Sequence, residues 1–277
     1  MKKIIIGLLL FFISLEAGYI KESVEAHKKG EHKKVANIYE KACNEDKKAS
    51  ACYNLGILYM GSEGIKKDVN KALGYYNRAC DDNFSSACYN LGFIYSIGKD
   101  VSKDINKAIA LYDKACKANN GSACNNLGRL YEEGKEVKID EKKAVDYYRQ
   151  SCSNYDEMGC SNLAYMYAHA KGVKQDYKSA IKLYTKACDS KVAVACENLG
   201  FLYENAQGVT QNYKKAAELY RKACDYLGSK GCNNLAILHI KGNGVVQDYK
   251  KAKGLFKKAC DKGLKVACTN HKLIDGI

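Results

Sequence analysis

Apolar residues recur along most of this chain at the spacing of amphipathic helices, and the pattern repeats every 36 residues. In the first complete repeat, four positions spaced i, i+3, i+4 and i+7 share one face of a helix: Cys52, Leu55, Gly56 and Tyr59. A second stripe follows at i, i+4 and i+8: Ala72, Tyr76 and Cys80. Each repeat therefore predicts a first helix and a second helix, joined by a loop that contains glycine.

Three columns of equivalent positions indicate how these helices form and pack. Small residues on the first helix allow a close helix approach: Gly56, Gly92, Gly128, Ala164, Gly200 and Ala236. A ring column on the second helix is expected in the core: Tyr76, Tyr112, Tyr148, Tyr184, Tyr220 and Phe256. An Asp/Asn column is expected to cap the second helices: Asp68, Asp104, Asp140, Asp176, Asn212 and Asp248. We assign these carboxylates to capping and not to catalysis.

The organisation predicted from this pattern is one all-α solenoid domain of stacked helix hairpins. Seven helix pairs span 19–264, the first of them a degenerate repeat at 19–48, and a lone helix at 265–277 caps the end. No linker rich in proline or serine interrupts the repeats, and the chain contains no proline.

The first residues have the features of an export signal. Lys2 and Lys3 give a basic start, an apolar run covers 4–15, and Ala17 and Gly18 offer small residues for cleavage. We predict a signal peptide at 1–17 and a secreted or periplasmic protein. The apolar run is too short for a stable membrane anchor.

Fourteen cysteines form seven pairs, six of which are spaced C-x7-C. An even cysteine count in an exported chain predicts disulfides, each worth about 2–3 kcal/mol by loop entropy. Metal binding is the alternative, although C-x-x-C is absent and the histidines show no ligand spacing. We expect no metal and no cofactor. Each bridge would join a second helix to the next first helix: Cys43–Cys52, Cys80–Cys88, Cys116–Cys124, Cys152–Cys160, Cys188–Cys196, Cys224–Cys232 and Cys260–Cys268.

The formal net charge is +14, with lysine spread through every repeat. Such a charge is compatible with an ordinary solvated surface, or with attraction to anionic partners such as lipopolysaccharide, cell-wall polymers or acidic proteins. Nucleic acid fits poorly with export.

Two repeated strings carry a family resemblance: C-x-N-L-G-x-L-Y, and G-V-x-x-D-x-x-K-A-x-x-x-Y-x-K-A-C-D. They resemble the Sel-1-like branch of tetratricopeptide repeats, and the 36-residue unit with its cysteine pair is similar to the Helicobacter cysteine-rich protein family. The resemblance implies a right-handed α/α superhelix and secretion. Members are described as penicillin-binding proteins, as β-lactamases and as host-interacting factors. His239 departs from the pattern, because it replaces the tyrosine of the first helix.

The sequence does not support a familiar β-lactamase mechanism. S-x-x-K occurs at Ser96 and Ser179, which we place in a loop and inside a second helix, whereas S-D-N and K-T-G are absent. Zinc-ligand clusters, G-x-S-x-G and G-x-G-x-x-G are also absent. The catalytic residues therefore stay unassigned, and weak hydrolysis of penicillin-type substrates is an alternative to binding.

Binding in the concave groove of a monomer is the better supported hypothesis, with a protein, a peptide or a peptidoglycan fragment as ligand. An amide once per first helix suits a peptide main chain, or else bonds a neighbouring helix: Asn54, Asn90, Asn126, Asn162, Asn198 and Asn234. The positions after each first-helix cysteine and after each Gly/Ala residue vary between repeats. This variation could determine ligand specificity, or it could be random sequence drift on a solvated face: Tyr53, Tyr89, Phe93, Arg129, Tyr165 and Phe201. Asn83 also fits a bacterial glycosylation sequon, or else lies in an ordinary loop.

Overall fold

A computed structural model describes residues 18–62 and 64–274, so the expected signal peptide lies outside the described residues. Within these ranges the chain forms fifteen helices and no strand. The helices are α1 (18–28), α2 (His32–Asn44), α3 (Ala49–Tyr59), α4 (Val69–Asp81), α5 (Ser85–Ile97), α6 (Ile105–Lys117), α7 (Gly121–Glu133), α8 (Glu141–Ser153), α9 (Glu157–Ala168), α10 (Tyr177–Asp189), α11 (Ala193–Glu204), α12 (Tyr213–Asp225), α13 (Ser229–Lys241), α14 (Tyr249–Asp261) and α15 (Lys265–Leu273). Odd-numbered helices are the predicted first helices and even-numbered helices are the second. The all-α repeat fold is confirmed.

The second helices begin where the Asp/Asn column predicts. The Asp68 carboxylate accepts a hydrogen bond of 3.0 Å from the backbone N–H of Lys71, and all six members of the column make the equivalent bond. The bond satisfies a backbone donor that the helix cannot pair internally. Capping therefore accounts for these carboxylates.

The predicted close approach of the two helices is confirmed by the contact between the Gly/Ala column and the ring column. A Cβ added at Gly56 would lie 2.4 Å from the ring of Tyr76, and one at Gly128 would lie 2.6 Å from the ring of Tyr148. All six rings of the column are buried. The first-helix tyrosine is different, because Tyr59 is only half-buried. Its ring instead stacks on Tyr75 with centroids 5.8 Å apart.

Disulfides cross-link each second helix to the next first helix, as predicted. Six bridges join the expected cysteines: Cys43–Cys52, Cys80–Cys88, Cys152–Cys160, Cys188–Cys196, Cys224–Cys232 and Cys260–Cys268. The remaining two cysteines, Cys116 and Cys124, are also disulfide-bonded, and none of the fourteen is free. Most of the half-cystines are buried, but Cys152, Cys260 and Cys268 are partly exposed. The alternative of metal-binding thiolates is excluded by this pairing.

Each bridge encloses a turn in which one residue has a positive φ. At Asn83 φ is +61°, and the same turn places Tyr155 at +60° and Leu227 at +69°. A residue with a branched or bulky side chain adopts this conformation at a cost of about 1–2 kcal/mol. The cross-link on both sides of the turn holds the chain there without proline, and only the last bridge, Cys260–Cys268, has a glycine at this position, Gly263. Asn83 is exposed, and its glycosylation stays a prediction.

The chain divides into two compact units, one ending at Ala123 and the other beginning at Cys124. Each is a stack of helix hairpins with a core of alanine, leucine, cystine and ring-column side chains. Among the described residues, no helix is long and apolar enough to cross a membrane.

Candidate functional site

Most amides of the predicted Asn ladder are used inside the protein. Asn198 donates a hydrogen bond of 3.2 Å to the hydroxyl of Tyr184 on the preceding second helix. Asn90 bonds Tyr76 in the same way, and so does Asn234 with Tyr220. Asn162 donates to the side-chain oxygen of Asn125 at 2.8 Å. The structural hypothesis therefore applies to at least these four positions.

Asn54 differs from these four asparagines. Its side chain makes no hydrogen bond to any other described residue, and it lines an open groove between α1, α2 and α3. A half-buried amide with unused donors and an unused acceptor is suited to bonding a ligand main chain. The side chain of Asn126, in α7, likewise makes no hydrogen bond within the described part of the chain. These two positions are the better candidates for direct ligand contact.

The variable aromatic residues fall into a packed group and an exposed group. The ring of Tyr53 lies 5.0 Å from Phe84 and 5.9 Å from Tyr76, and Tyr89 lies 5.9 Å from Tyr112. Both variable tyrosines are half-buried and extend the core outward.

The position after each Gly/Ala residue is more exposed. Ile57 is 40% exposed, Phe93 is 47% and Phe201 is 45%. Arg129 at this position forms an ion pair of 2.9 Å with Glu133. Tyr165 is half-buried, and its ring lies 4.3 Å from that of His169. In each unit, the first helices thus carry large apolar side chains that no neighbouring helix fully covers.

Ring-column hydroxyls donate to carboxylates on the preceding first helix in two repeats. Tyr148 donates to Glu132 at 2.7 Å, and Tyr220 donates to Glu204 at 2.7 Å. Burial, followed by the carboxylate bond, raises the pKa of both hydroxyls well above the ordinary value. Burial also raises the pKa of Tyr76 to about 12. These phenols are structural donors and not acid–base groups at neutral pH.

A polar cluster between α7 and α9 was not found from the sequence. Glu132 receives Tyr148 on one oxygen, while its other oxygen lies 3.3 Å from the ammonium of Lys171. That ammonium also lies 4.8 Å from the ring centroid of Tyr165. Burial, together with the charge of Lys171, lowers the pKa of His169, which packs on the same ring. Lys171 is in an irregular loop, so no helical periodicity could have placed it beside Glu132.

Glu197 introduces a carboxylate at the position that follows the cysteine of the first helix. Burial raises its pKa, and Lys230 only partly opposes that shift. Its equivalents in the neighbouring repeats are the buried polar residues Ser161 and Asn233. At this position the second unit therefore carries buried or half-buried polar side chains, whereas the first unit has the half-buried tyrosines Tyr53 and Tyr89.

The groove that contains Asn54 is another feature that the sequence did not reveal. It encloses about 430 Å³ between the first three helices. Its described lining residues are mainly apolar or basic: Ser23, Val24, His27, Lys28, His32, Val35, Tyr39, Asn54, Ile57, Leu58 and Ser62. Volume and composition fall in the range of ligand-binding clefts. The degenerate first repeat obscured this site because its residues do not align with the later repeats.

Neither S-x-x-K serine is paired with its lysine. Ser96 donates to the backbone oxygen of Phe93 at 2.8 Å, and Ser179 donates to the capping carboxylate of Asp176. Ser96 also lies in α5, so the prediction that it is in a loop was wrong: α5 continues to Ile97 and ends at Gly98, in the left-handed conformation. Within the described residues, no group of three His, Cys, Asp or Glu residues could hold a metal ion.

The helix pairs, the cystine at each junction and the variable first-helix face define a disulfide-linked α-solenoid of the repeat-scaffold class. The family model described as Sel1 repeat matches residues 49–84, 85–120, 121–156, 158–192, 193–225 and 229–264. These matches cover most of the chain, which therefore belongs to the Sel1 repeat family. No curated protein sequence gives a significant match.

Solved structures of other Sel1 repeat proteins resemble this chain. A protective antigen of uropathogenic Escherichia coli with an SLR fold has a TM-score of 0.78 and 29% identity, over 86% of this chain and 51% of that one. This chain thus spans about half the length of that protein. A Sel1 repeat protein from Oxalobacter formigenes has a TM-score of 0.75 and 23% sequence identity, over 87% of this chain and 96% of that one. Cysteine-rich protein B of Helicobacter pylori is 36% identical over 50% of this chain and 97% of its own, with a TM-score of 0.39.

The predicted resemblance to a cysteine-rich Sel1-like family is therefore confirmed. The chain is a Sel1 repeat scaffold of the type that mediates protein interactions. Its disulfides indicate an oxidising environment outside the cytoplasm.

Proposed function

We propose that this protein is a secreted or periplasmic scaffold that binds an extended peptide segment of a partner protein along its first helices. The observation that carries the proposal is the pairing of an unused amide with exposed apolar side chains. Asn54 has free hydrogen-bonding groups, and Ile57 is 40% exposed beside it in the same groove. An amide can bond both groups of a peptide unit, while the apolar neighbour takes up a side chain.

The same first-helix position supports contacts further along each unit. Phe93 in the first unit and Phe201 in the second unit are both nearly half exposed. Large exposed aromatic side chains are common anchors in protein interfaces. A muramyl peptide or a penicillin-like compound is the alternative occupant, because each also presents amide groups next to apolar surface. Hydrolysis of such a ligand is supported only by the family resemblance.

A random peptide library displayed on phage tests the proposal. We expect selection on the oxidised protein to enrich peptides that bind with saturable calorimetric isotherms. Asn54→Ala and Ile57→Ala should weaken binding several-fold without changing the midpoint of thermal unfolding. Asn198→Ala serves as the matched control, because its amide is tied to Tyr184 and its loss should lower stability instead.

Parallel titrations with penicillin and a muramyl dipeptide, and an assay of nitrocefin turnover, distinguish the alternatives. Binding of the cell-wall compounds without peptide enrichment would replace the peptide by a peptidoglycan ligand. Saturable turnover that survives re-purification would show that the protein is an enzyme, and would overturn the proposal of a pure scaffold.

A further inference from the structure

The groove between α1, α2 and α3 differs from the rest of the first-helix face in chemistry. We propose that it binds an acidic peptide segment through an apolar anchor residue, an inference that rests on the proposed peptide-binding function and names its partner class. The groove lies within the first unit, at the N-terminal end of the described repeats.

The floor of the groove can receive one apolar side chain. The residues of this apolar floor come from three helices: Val24 of α1, Val35 and Tyr39 of α2, and Ile57 and Leu58 of α3. Val24 is 46% exposed and Ile57 is 40% exposed, although both are large aliphatic residues. Burying them against a ligand is favourable because it removes apolar surface from water. The volume of about 430 Å³ accommodates a leucine or phenylalanine side chain together with its backbone.

The rim of the groove is basic. Lys28, His27 and His32 line it, and none of its described lining residues is a carboxylate. Lys28 forms no ion pair with any described residue. Two acidic residues lie three positions from Lys28 in sequence: Glu31 is 3.3 Å from Lys34 and is thus already paired, and Glu25 is exposed and does not line the groove. The uncompensated positive charge selects a partner with Asp or Glu beside its anchor residue, in keeping with the net charge of +14.

Two contacts fix the basic rim in place. The rings of His27 and His32 meet edge to face with centroids 5.9 Å apart. His32 also packs on Gly64, where an added Cβ would lie 2.3 Å from the imidazole ring. Gly64 has a φ of +76°, so a side chain is excluded by backbone conformation as well as by space. The imidazole is therefore pre-positioned at the edge of the groove.

Asn54 supplies the third element of recognition. Its unbonded amide lines the groove together with the apolar floor and the basic rim. A peptide whose anchor side chain enters the floor would expose its own N–H and C=O groups next to this amide. A purely apolar small molecule would leave both the amide and the rim charge unused, and a basic peptide would be repelled.

Fluorescence anisotropy with two synthetic peptides tests this inference on the oxidised protein. The first peptide carries a central leucine flanked by aspartates, and the second has lysine in place of every aspartate. We expect the acidic peptide to bind at least about tenfold more tightly, with an affinity that falls as salt is raised. Lys28→Glu should weaken binding of the acidic peptide about two- to fivefold, the range of an exposed ion pair. It should also reduce the ratio between the affinities for the acidic peptide and the lysine peptide.

Val24→Glu tests the anchor site, since it places a carboxylate in the apolar floor at an exposed position that tolerates the change. We expect it to weaken the acidic peptide by about tenfold or more while leaving the circular dichroism spectrum and thermal midpoint unchanged. The matched control is Val194→Glu on α11, a valine of similar exposure in the other unit, which should leave binding unaltered.

Equal binding of the two peptides, or loss of binding in Val194→Glu but not in Val24→Glu, would overturn the inference. If the protein binds library peptides that lack acidic residues and Val24→Glu binds them normally, the inference fails and the proposed peptide-binding function stands. If no peptide of any charge binds, both fail.

Discussion

The contact between Ser151 on α8 and Gly159 on α9 makes a prediction about stability that can be worked from the structure. Other second helices have alanine at the position of Ser151, such as Ala187, and other first helices have alanine at the position of Gly159, such as Ala195. Ser151 is fully buried, and its hydroxyl has no hydrogen-bond partner among the described residues. A Cβ added at Gly159 would lie 2.0 Å from that hydroxyl oxygen and 2.4 Å from the Cβ of Ser151, and only the first of these two clashes disappears in Ser151→Ala. The glycine therefore compensates for the serine.

Opposite effects are expected from the two single substitutions. Ser151→Ala removes an unsatisfied buried hydroxyl, which costs about 1–3 kcal/mol in general, and should stabilise the protein by about 1 kcal/mol. Gly159→Ala gains about 1 kcal/mol of helix propensity, but the clash with Ser151 costs about 1–3 kcal/mol and should outweigh that gain. The cost of Gly159→Ala should fall by about 1–2 kcal/mol when Ser151 is already alanine. The double variant then has the same pair of alanines as the equivalent positions of the next repeat, Ala187 and Ala195.

Urea unfolding of the oxidised protein, followed by circular dichroism, measures this coupling as a double-mutant cycle. Gly231→Ala is the matched control, because its added Cβ would lie 2.5 Å from the Cβ of Ala223 and 3.0 and 3.1 Å from backbone atoms of Cys224 and Tyr220, but near no hydroxyl. The reasoning is refuted if the effects of Ser151→Ala and Gly159→Ala add to within about 0.5 kcal/mol. It is also refuted if Ser151→Ala destabilises the protein, since the hydroxyl would then have an effective partner.

Three further predictions concern the cystines and the buried ionisable groups. Among the six bridges other than Cys260–Cys268, whose cysteines are both partly exposed, the disulfide of Cys160 should be reduced first by limiting dithiol, because Lys186 lies 3.6 Å from its sulfur and stabilises the leaving thiolate, and its partner Cys152 is partly exposed. Differential alkylation should show slower reduction of the Cys152–Cys160 bridge in Lys186→Met and no change in Lys222→Met. Reduction of this bridge at the same rate as the buried bridges would contradict the prediction. Burial raises the pKa of Tyr76 to about 12, so the folded state favours the neutral phenol. Its contribution to stability is complete below the unfolded pKa of about 10 and is lost as pH rises towards 12, and absorbance at alkaline pH should show phenols that ionise only on unfolding. Burial also raises the pKa of Glu197, so its contribution is present below the unfolded value of about 4.3 and is lost as pH rises. Glu197→Gln should therefore raise the thermal midpoint at neutral pH and have little effect near pH 4, and an equal effect at both pH values would argue against a buried carboxylate.

Local patterns predicted what local interactions determine. Asp104 was expected to cap a helix because its carboxylate and the backbone N–H of Lys107 are only three residues apart in the first helical turn. That hydrogen bond is present at 2.9 Å. The buried ring of Tyr112 followed from its place in an apolar stripe. The cystine pairing followed because partners eight or nine residues apart have few alternatives across one turn.

Interactions between repeats were not predictable in the same way. Asn198 could face a ligand or a neighbouring helix at the same sequence position, and only the placement of Tyr184 decides the matter. The groove at Asn54 depends on where α1 packs, and the degenerate first repeat provides no equivalent positions from which to infer it. The contact between Gly159 and Ser151 likewise depends on how α8 packs on α9, which the repeat pattern does not specify.

The cystine at every junction has a consequence for how such a protein can change in length. Both halves of a bridge lie within nine residues of each other, and the pattern returns every 36 residues. Duplication or deletion of one whole period, wherever its boundaries fall, leaves every half-cystine with a nearby partner. Recombination can therefore lengthen or shorten the array without altering its oxidative pairing. In a protein cross-linked between distant segments, the same event would strand unpaired thiols, so this arrangement makes the number of repeats an evolutionarily adjustable property of the binding surface.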